Sequence, residues 1–118
     1  MSLFSAMTGV KFAEKTTVMK TIEIKRATDD GLETCSGELL EWQGFQFCLT
    51  KVGNKWMAIE LNSGASAYEV YSSKPIKKMI SGTLERLDSK GAKDLIKAIK
   101  RFKKEYPKFQ YPINKPVK

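Results

Sequence analysis

The clearest alternation of apolar and polar residues lies in residues 44–61, GFQFCLTKVGNKWMAIEL. Two apolar-rich runs flank Gly53-Asn54, a pair that is typical of the turn in a β-hairpin. We expect this hairpin to form the middle of a small antiparallel sheet, with the rest of the chain packing on it or continuing it.

The length of the hairpin loop determines which side chains share a face of the sheet. A two-residue loop pairs Leu49 with Ala58 and mixes polar and apolar groups on both faces. A three-residue loop pairs Leu49 with Ile59 and gathers the large apolar residues on one face. We therefore predict the three-residue loop, which leaves Trp56 on the less apolar face. The apolar face then holds Phe45, Phe47, Leu49, Met57, Ile59 and Leu61.

Three further segments have strand-like patterns. Residues 19–28 alternate in polarity and end at the turn signal Asp-Asp-Gly of residues 29–31. Residues 34–42 follow as a second strand, interrupted by a glycine, and residues 67–71 form the last strand. Together with the hairpin, these segments predict an antiparallel meander of four or five strands.

After the sheet, the apolar period changes from two residues to about 3.6. Residues 76–87 carry one apolar stripe behind Pro75, and Gly82 within it suggests close packing. Residues 88–91 break this helix, and a second helix follows at about residues 92–105. The predicted fold class is α+β: an antiparallel four- to five-stranded meander sheet followed by two C-terminal helices packed on one face.

The chain of 118 residues is long enough for one core without metals or disulfides. We predict a single α+β domain at residues 19–106. An N-terminal extension at residues 1–18 precedes it, because no apolar period is sustained there. A Pro-containing basic C-terminal tail at residues 107–118 follows, and its prolines favour an extended arm over a packed element.

The composition argues against most catalytic and metal chemistry. The chain has no histidine, its two cysteines fit no metal motif, and its glycines form no phosphate-binding loop. Cys48 is predicted to be a packed side chain, and nothing fixes a catalytic separation for Glu38, Glu41 or Glu60. We predict a non-enzymatic protein without cofactor or metal. The cysteine usage indicates a reduced cytoplasmic setting, and no signal peptide or membrane span is expected.

The net charge of +8 is distributed unevenly. Residues 1–72 hold 7 Lys/Arg against 9 Asp/Glu, whereas residues 73–118 hold 14 against 4. Cations concentrated on one element attract a polyanion, so we predict nucleic-acid binding by the second helix and the tail, largely without sequence specificity. The alternative is that these lysines are simply the solvated face of a helix. The predicted contact residues are Lys93, Lys97, Lys100, Arg101, Lys104, Lys108 and Trp56.

Trp56 has several interpretations. With Tyr71 as a neighbour on the same face, it could serve as a stacking platform for bases. Large aromatic residues are usually buried, so a helix, the N-terminal extension or a partner subunit could instead cover it. A bare face would favour a homodimer or another protein partner, and the alternative function is therefore a protein-interaction or dimerisation module.

Antiparallel strands followed by a helix also occur in PUR-type single-strand binders and in AP2-type DNA-binding domains. The run FQFCLTKVGNKWMAIEL resembles the hairpin of either, over roughly residues 44–88. The strand arginines of an AP2-type reader are missing, with Gln46, Thr50 and Lys51 present instead, so the resemblance does not extend to base readout. In size and style the chain is also similar to small phage or mobile-element proteins of lysine-rich bacteria.

Overall fold

The computed structural model describes residues 20–71 and 75–118. Within these residues, five strands precede one helical segment, and each strand pairs antiparallel with its neighbours in the chain, in the order β1-β2-β3-β4-β5. This arrangement confirms the predicted α+β meander, whereas the predicted extension at residues 1–18 lies outside the described residues. The elements are β1 Thr21–Thr28, β2 Gly31–Trp42, β3 Phe45–Val52, β4 Lys55–Glu60, β5 Ser66–Tyr71 and α1 Ile76–Glu105.

The prediction of two separate helices needs correction, because α1 is one segment with a kink. The helix continues through residues 88–90, where the polar Asp-Ser-Lys sequence had predicted a break. Only Gly91 leaves the helical region, with φ 84° and ψ 161°, a conformation that glycine adopts without steric penalty. Within the described ranges, no helix is long and apolar enough to cross a membrane.

The β3–β4 hairpin has a two-residue loop, so the predicted three-residue loop is wrong. Val52 pairs with Lys55, and Leu49 pairs with Ala58. Gly53 takes φ 62°, as the first residue of a tight two-residue loop often does. The prediction failed because it assumed that only one face of the sheet is buried.

Both faces of the sheet carry a buried apolar cluster. On one face, strand residues such as Leu40 and Phe47 pack against helix residues such as Met79 and Leu84. The opposite face has its own buried residues, so the mixed pattern on each strand is compatible with burial on both sides. The members of this second cluster are Ile22, Ile24, Cys48, Met57, Ile59 and Leu61.

The C-terminal tail packs on the second face instead of projecting as the extended arm that its prolines suggested. The Asn114 amide accepts a hydrogen bond from Lys25 N at 2.8 Å and donates to Lys25 O at 2.8 Å and to Leu61 O at 3.0 Å. Val117 contacts the second cluster, and its backbone N–H donates to Gln46 Oε1 at 2.8 Å. The tail therefore links β1 to the end of β4.

Two contacts position α1 on the sheet. Trp42 Nε1 donates a hydrogen bond to Asp88 Oδ1 at 3.0 Å. At Gly82, an added Cβ would lie 2.8 Å from Tyr68 Oη, so the missing side chain lets α1 approach β5 closely. This close packing agrees with the role that the sequence suggested for Gly82.

Thr83 and Thr50 offer a matched test of the core. Thr83 is fully buried, and its hydroxyl has no hydrogen-bond partner within residues 20–71 and 75–118. Thr50 is also buried, but its hydroxyl donates to Ser36 O at 2.7 Å. We expect Thr83→Val to raise the free energy of unfolding by about 1 kcal/mol, because it removes an unsatisfied polar group at nearly constant volume.

Thr50→Val is the control, since the same chemical change there leaves the Ser36 carbonyl without its donor and should cost about 1 to 2 kcal/mol. Urea denaturation followed by circular dichroism measures both changes. Destabilisation of similar size in the two variants would contradict this account of Thr83.

Candidate nucleic-acid interface

The part of α1 beyond Gly91 presents its apolar side to the sheet. Leu95 is buried and Ile99 is half-buried against the first core cluster. An α-helix turns by about 100° per residue, so residues displaced from Leu95 by roughly half a turn lie on the opposite, outward side. Four lysines occupy that side and all are exposed. We call them the lysine ridge: Lys93, Lys97, Lys100 and Lys104.

The lysine ridge is a compact linear array. Its members follow one another at intervals of three or four residues, which places neighbouring Cβ atoms about 5–6 Å apart. At about 1.5 Å per residue, the ridge extends over about 16 Å. One strand of stacked nucleic acid presents about five phosphates over that length, at about 3.4 Å each. The ridge can therefore contact several consecutive phosphates of one strand.

The charges of the lysine ridge are not neutralised by the protein's described carboxylates. In residues 20–71 and 75–118 two ion pairs form, Arg26–Glu33 at 2.7 Å and Lys55–Glu69 at 3.0 Å, and neither includes a ridge lysine. The sequence of α1 contains ten Lys/Arg and four Asp/Glu. Among the described residues, the ridge lysines therefore carry positive charge that no ion pair neutralises.

Arg101 lies beside the lysine ridge. It lines a cavity of about 400 Å³ between α1 and β5, together with Arg86, Lys90 and Lys97. Arg86 and Lys90 precede the kink in α1, whereas Lys97 and Arg101 follow it, so cations from both halves of the helix converge here. Asp94 also lines the cavity and offsets part of this charge.

Lys108 extends the basic surface past the end of α1. Its side chain is exposed, and Nζ lies 5.1 Å from the centroid of the Phe109 ring. The structure therefore places five of the predicted contact lysines along the outward side of α1 and just beyond its end, with Arg101 beside them.

Trp56 lies in a different part of the molecule. It is half-buried against the first core cluster and lines a separate cavity with Val70 and Met79. The predicted position on the less apolar face is wrong, because the two-residue loop directs Trp56 to the side covered by α1. Tyr71 pairs with Lys55, so it projects from the opposite face, where it is 76% exposed. Tyr71 also lines the cavity of Trp56, but the two side chains leave the sheet on opposite faces and do not form the same-face platform that the sequence suggested.

The other candidate groups serve the fold. Burial raises the pKa of the Cys48 thiol to about 12, so this thiol stays protonated at neutral pH. Glu60 is 4% exposed, and its carboxylate accepts the backbone N–H groups of Asn62 at 2.9 Å and Ser63 at 2.8 Å. In the part of the chain that the structure describes, no three His, Cys, Asp or Glu side chains are arranged to hold a metal ion.

Glu38 and Glu41 lie at the sheet surface. Glu38 accepts a hydrogen bond from the Thr21 hydroxyl at 3.1 Å, and Glu41 accepts one from the Gln46 amide at 3.3 Å. The register places Glu38 on the α1 side of the sheet and Glu41 on the other. These carboxylates therefore do not form a pair.

The end of α1 carries an aromatic group that the sequence analysis did not assign to a site. The Phe102 and Tyr106 ring centroids lie 4.7 Å apart, and those of Tyr106 and Phe109 lie 6.4 Å apart. Tyr111 joins them through its hydroxyl, which donates to Tyr106 O at 2.8 Å. We call these four residues the aromatic cluster. The available signal was the mixture of lysines and aromatic residues in FKKEYPKFQY, residues 102–111.

Comparisons of this chain with protein-family models, with curated proteins and with solved structures find no match. Its function therefore has to be inferred from the chemistry of its own surface.

Proposed function

We propose that this protein binds nucleic acid through the lysine ridge, with Arg101 and Lys108 enlarging the contact surface. One observation carries the proposal: four exposed lysines share one side of a helix, and none forms an ion pair with a described carboxylate. Displacing counterions from a polyanion favours binding to such an array. The proposed role is that of a non-enzymatic accessory protein.

Binding is expected to depend little on nucleotide sequence. Lysine ammonium groups act as compact charges that contact phosphates, and phosphates carry no sequence information. The side chains of the lysine ridge offer no fixed pattern of donors and acceptors for base edges. Unlabelled oligonucleotides of different sequence but equal length should therefore compete with similar affinity.

The proposed surface does not include Trp56. Part of the Trp56 indole packs against the core under α1. The helix therefore already covers part of the face through which a protein-interaction module would bind its partner. A protein-interaction or dimerisation role remains the alternative. A salt-insensitive dimer that does not bind nucleic acid, detected by light scattering, would favour it.

The proposed setting is the cytoplasm. Cys35 and Cys48 are both free thiols, which accords with a reducing compartment.

Fluorescence anisotropy tests the proposal with labelled single-stranded DNA, single-stranded RNA and duplex DNA of about 20 nucleotides. We expect binding at about 50 mM salt and a roughly 10²-fold loss of affinity at about 200 mM, because several phosphate contacts release counterions. Failure to bind all three ligands at the lower salt concentration would remove the proposal.

A further inference from the structure

We propose that the preferred ligand is single-stranded, because the aromatic cluster provides a platform on which an unpaired base stacks near Lys103 and Lys108, just past the end of the lysine ridge. Tyr106 is the residue that we assign to the base contact. This inference rests on the proposed function, since it names the class of nucleic acid that the same surface selects.

Tyr106 is held in place while its ring stays accessible. It is the C-cap residue that follows α1, and its backbone N–H donates to Phe102 O at 2.9 Å. Its carbonyl accepts the Tyr111 hydroxyl, and its ring lies 4.7 Å from that of Phe102. The residue is nevertheless 36% exposed. A fixed, exposed ring loses little conformational freedom when a base stacks on it.

The aromatic cluster stands apart from the apolar cores of the sheet. None of its four rings belongs to either of the two clusters that bury the sheet faces in the described residues. Phe102 lines a cavity with the core residue Leu95, but burial of the sheet does not account for Tyr106, Phe109 and Tyr111. Contact with a ligand that has flat apolar faces would account for them.

Two lysines contact rings of the aromatic cluster. Lys104, the last member of the lysine ridge, projects from the opposite side of α1 and continues the row of phosphate contacts toward this end of the helix. Lys103 Nζ lies 5.3 Å from the Tyr111 ring centroid, and Lys108 Nζ lies 5.1 Å from that of Phe109. A nucleotide at this end of the ridge can place its phosphate on a lysine and its base on a ring.

This arrangement discriminates between single strands and duplexes. In a duplex, neighbouring bases cover both faces of each interior base. A duplex can therefore contact the lysine ridge through its phosphates, but it has no exposed interior base that could stack on the aromatic cluster. In a single strand, an exposed base can stack on Tyr106. Stacking of one base on an aromatic side chain corresponds to about 5- to 100-fold in affinity.

Tyr106→Leu and Tyr106→Phe test the inference by anisotropy, with single-stranded oligo(dT) and a duplex of the same length at one salt concentration. Tyr106→Leu should weaken binding to oligo(dT) by about 5- to 100-fold and change duplex binding less than about two-fold. Tyr106→Phe, which keeps the ring, should bind both ligands like the wild type. Equal losses for both ligands, or no loss for oligo(dT), would overturn the inference.

A Lys104→Gln variant separates this inference from the proposed function. It removes a phosphate contact, so it should weaken oligo(dT) and duplex binding to a similar degree. If the wild type binds both ligands but Tyr106→Leu binds oligo(dT) normally, only the stacking inference fails. If the wild type binds neither ligand, both the proposed function and the stacking inference fail.

A measurement on the wild type avoids any effect of substitution on folding. The ring protons of Tyr106 should shift upfield in NMR spectra when oligo(dT) is added and should stay in place when the duplex is added. Unchanged Tyr106 resonances at saturating oligo(dT) would also overturn the inference.

Discussion

Gly37→Ala is expected to lower the free energy of unfolding by about 3 kcal/mol or more. A Cβ at position 37 would lie 2.1 Å from Leu49 O, 2.8 Å from Leu49 C and 3.0 Å from Cys48 Sγ. The two closest atoms belong to the backbone of β3 and cannot rotate away as a flexible side chain could. The methyl group would therefore force β2 and β3 apart between the two buried clusters.

Gly53→Ala is the matched control for Gly37→Ala. Gly53 has φ 62°, and a Cβ there would have no atom within 4 Å, so this substitution introduces backbone strain without overlap. It should cost only about 1 to 2 kcal/mol. Urea denaturation of both variants, followed by circular dichroism, compares the two costs. The account of Gly37 is wrong if Gly53→Ala proves the more destabilising change.

The position of Gly37 in β2 explains why space is scarce there. Gly37 pairs with Ile22 of β1, while the next residue, Glu38, pairs with Leu49 of β3. β1 and β3 thus flank β2 at Gly37 and Glu38. The Thr50 hydroxyl of β3 also donates a hydrogen bond to the carbonyl of the adjacent Ser36. The sequence pattern treated Gly37 as an interruption of the strand, whereas the strand passes through it and uses the missing side chain.

The second large effect is expected in binding. Replacing all four lysines of the lysine ridge with glutamine should weaken nucleic-acid binding by roughly 10²-fold at about 50 mM salt, because four neighbouring phosphate contacts are lost together. The four side chains are exposed and lie opposite the apolar stripe of α1, so the fold should be unaffected. Anisotropy with the wild-type ligands measures the loss.

A control variant changes the net charge by the same amount at other sites. Lys25, Lys77, Lys78 and Lys115 are exposed but lie off the lysine ridge. Changing these four to glutamine also lowers the net charge of +8 by four. It should weaken binding by much less than the ridge variant, since only the ridge places its charges along one line. Equal losses in the two variants would indicate a general effect of net charge.

Local patterns in the sequence were sufficient to predict much of the fold. Alternation and turn residues predicted the antiparallel meander, and Gly82 predicted a close approach of the helix. The register of the β3–β4 hairpin was not predictable in the same way. Glu60 shares the α1 side with Phe47, and a polarity pattern treats a glutamate as a solvent-facing residue. Its burial depends on hydrogen bonds from Asn62 and Ser63, which only the turn geometry provides.

The packing of the C-terminal tail and the kink in α1 were also not predictable from local sequence patterns. The prolines of residues 107–118 favour an extended chain, but packing depends on partners distant in sequence, such as the contacts of Asn114 with Lys25 and Leu61. At Gly91, the sequence indicated an interruption, yet it did not distinguish a kink from the end of a helix. For the tail, the deciding contacts are long-range and a local pattern cannot contain them.

For the candidate site, the periodicity of the sequence was enough to place the lysines but not all of the aromatic residues. Residues three and four apart on a helix must share a side, so the lysine ridge follows from spacing once α1 is known. Trp56 was chosen as a stacking residue from a register that proved wrong. Phe102 and Tyr106 are four residues apart and share a side of α1 by the same spacing, whereas Phe109 and Tyr111 join them only because the chain turns after α1, and that turn was not apparent from the sequence.

The salt dependence of binding by the ridge variant tests the central claim most directly. Log affinity for a single strand is measured against log salt concentration for the wild type, the ridge variant and the control variant. Each phosphate contact contributes a slope of about 0.7, so losing four should flatten the slope by about 3, while the control should keep nearly the wild-type slope. A ridge variant with the wild-type slope would show that these lysines do not contact phosphates and would contradict the account.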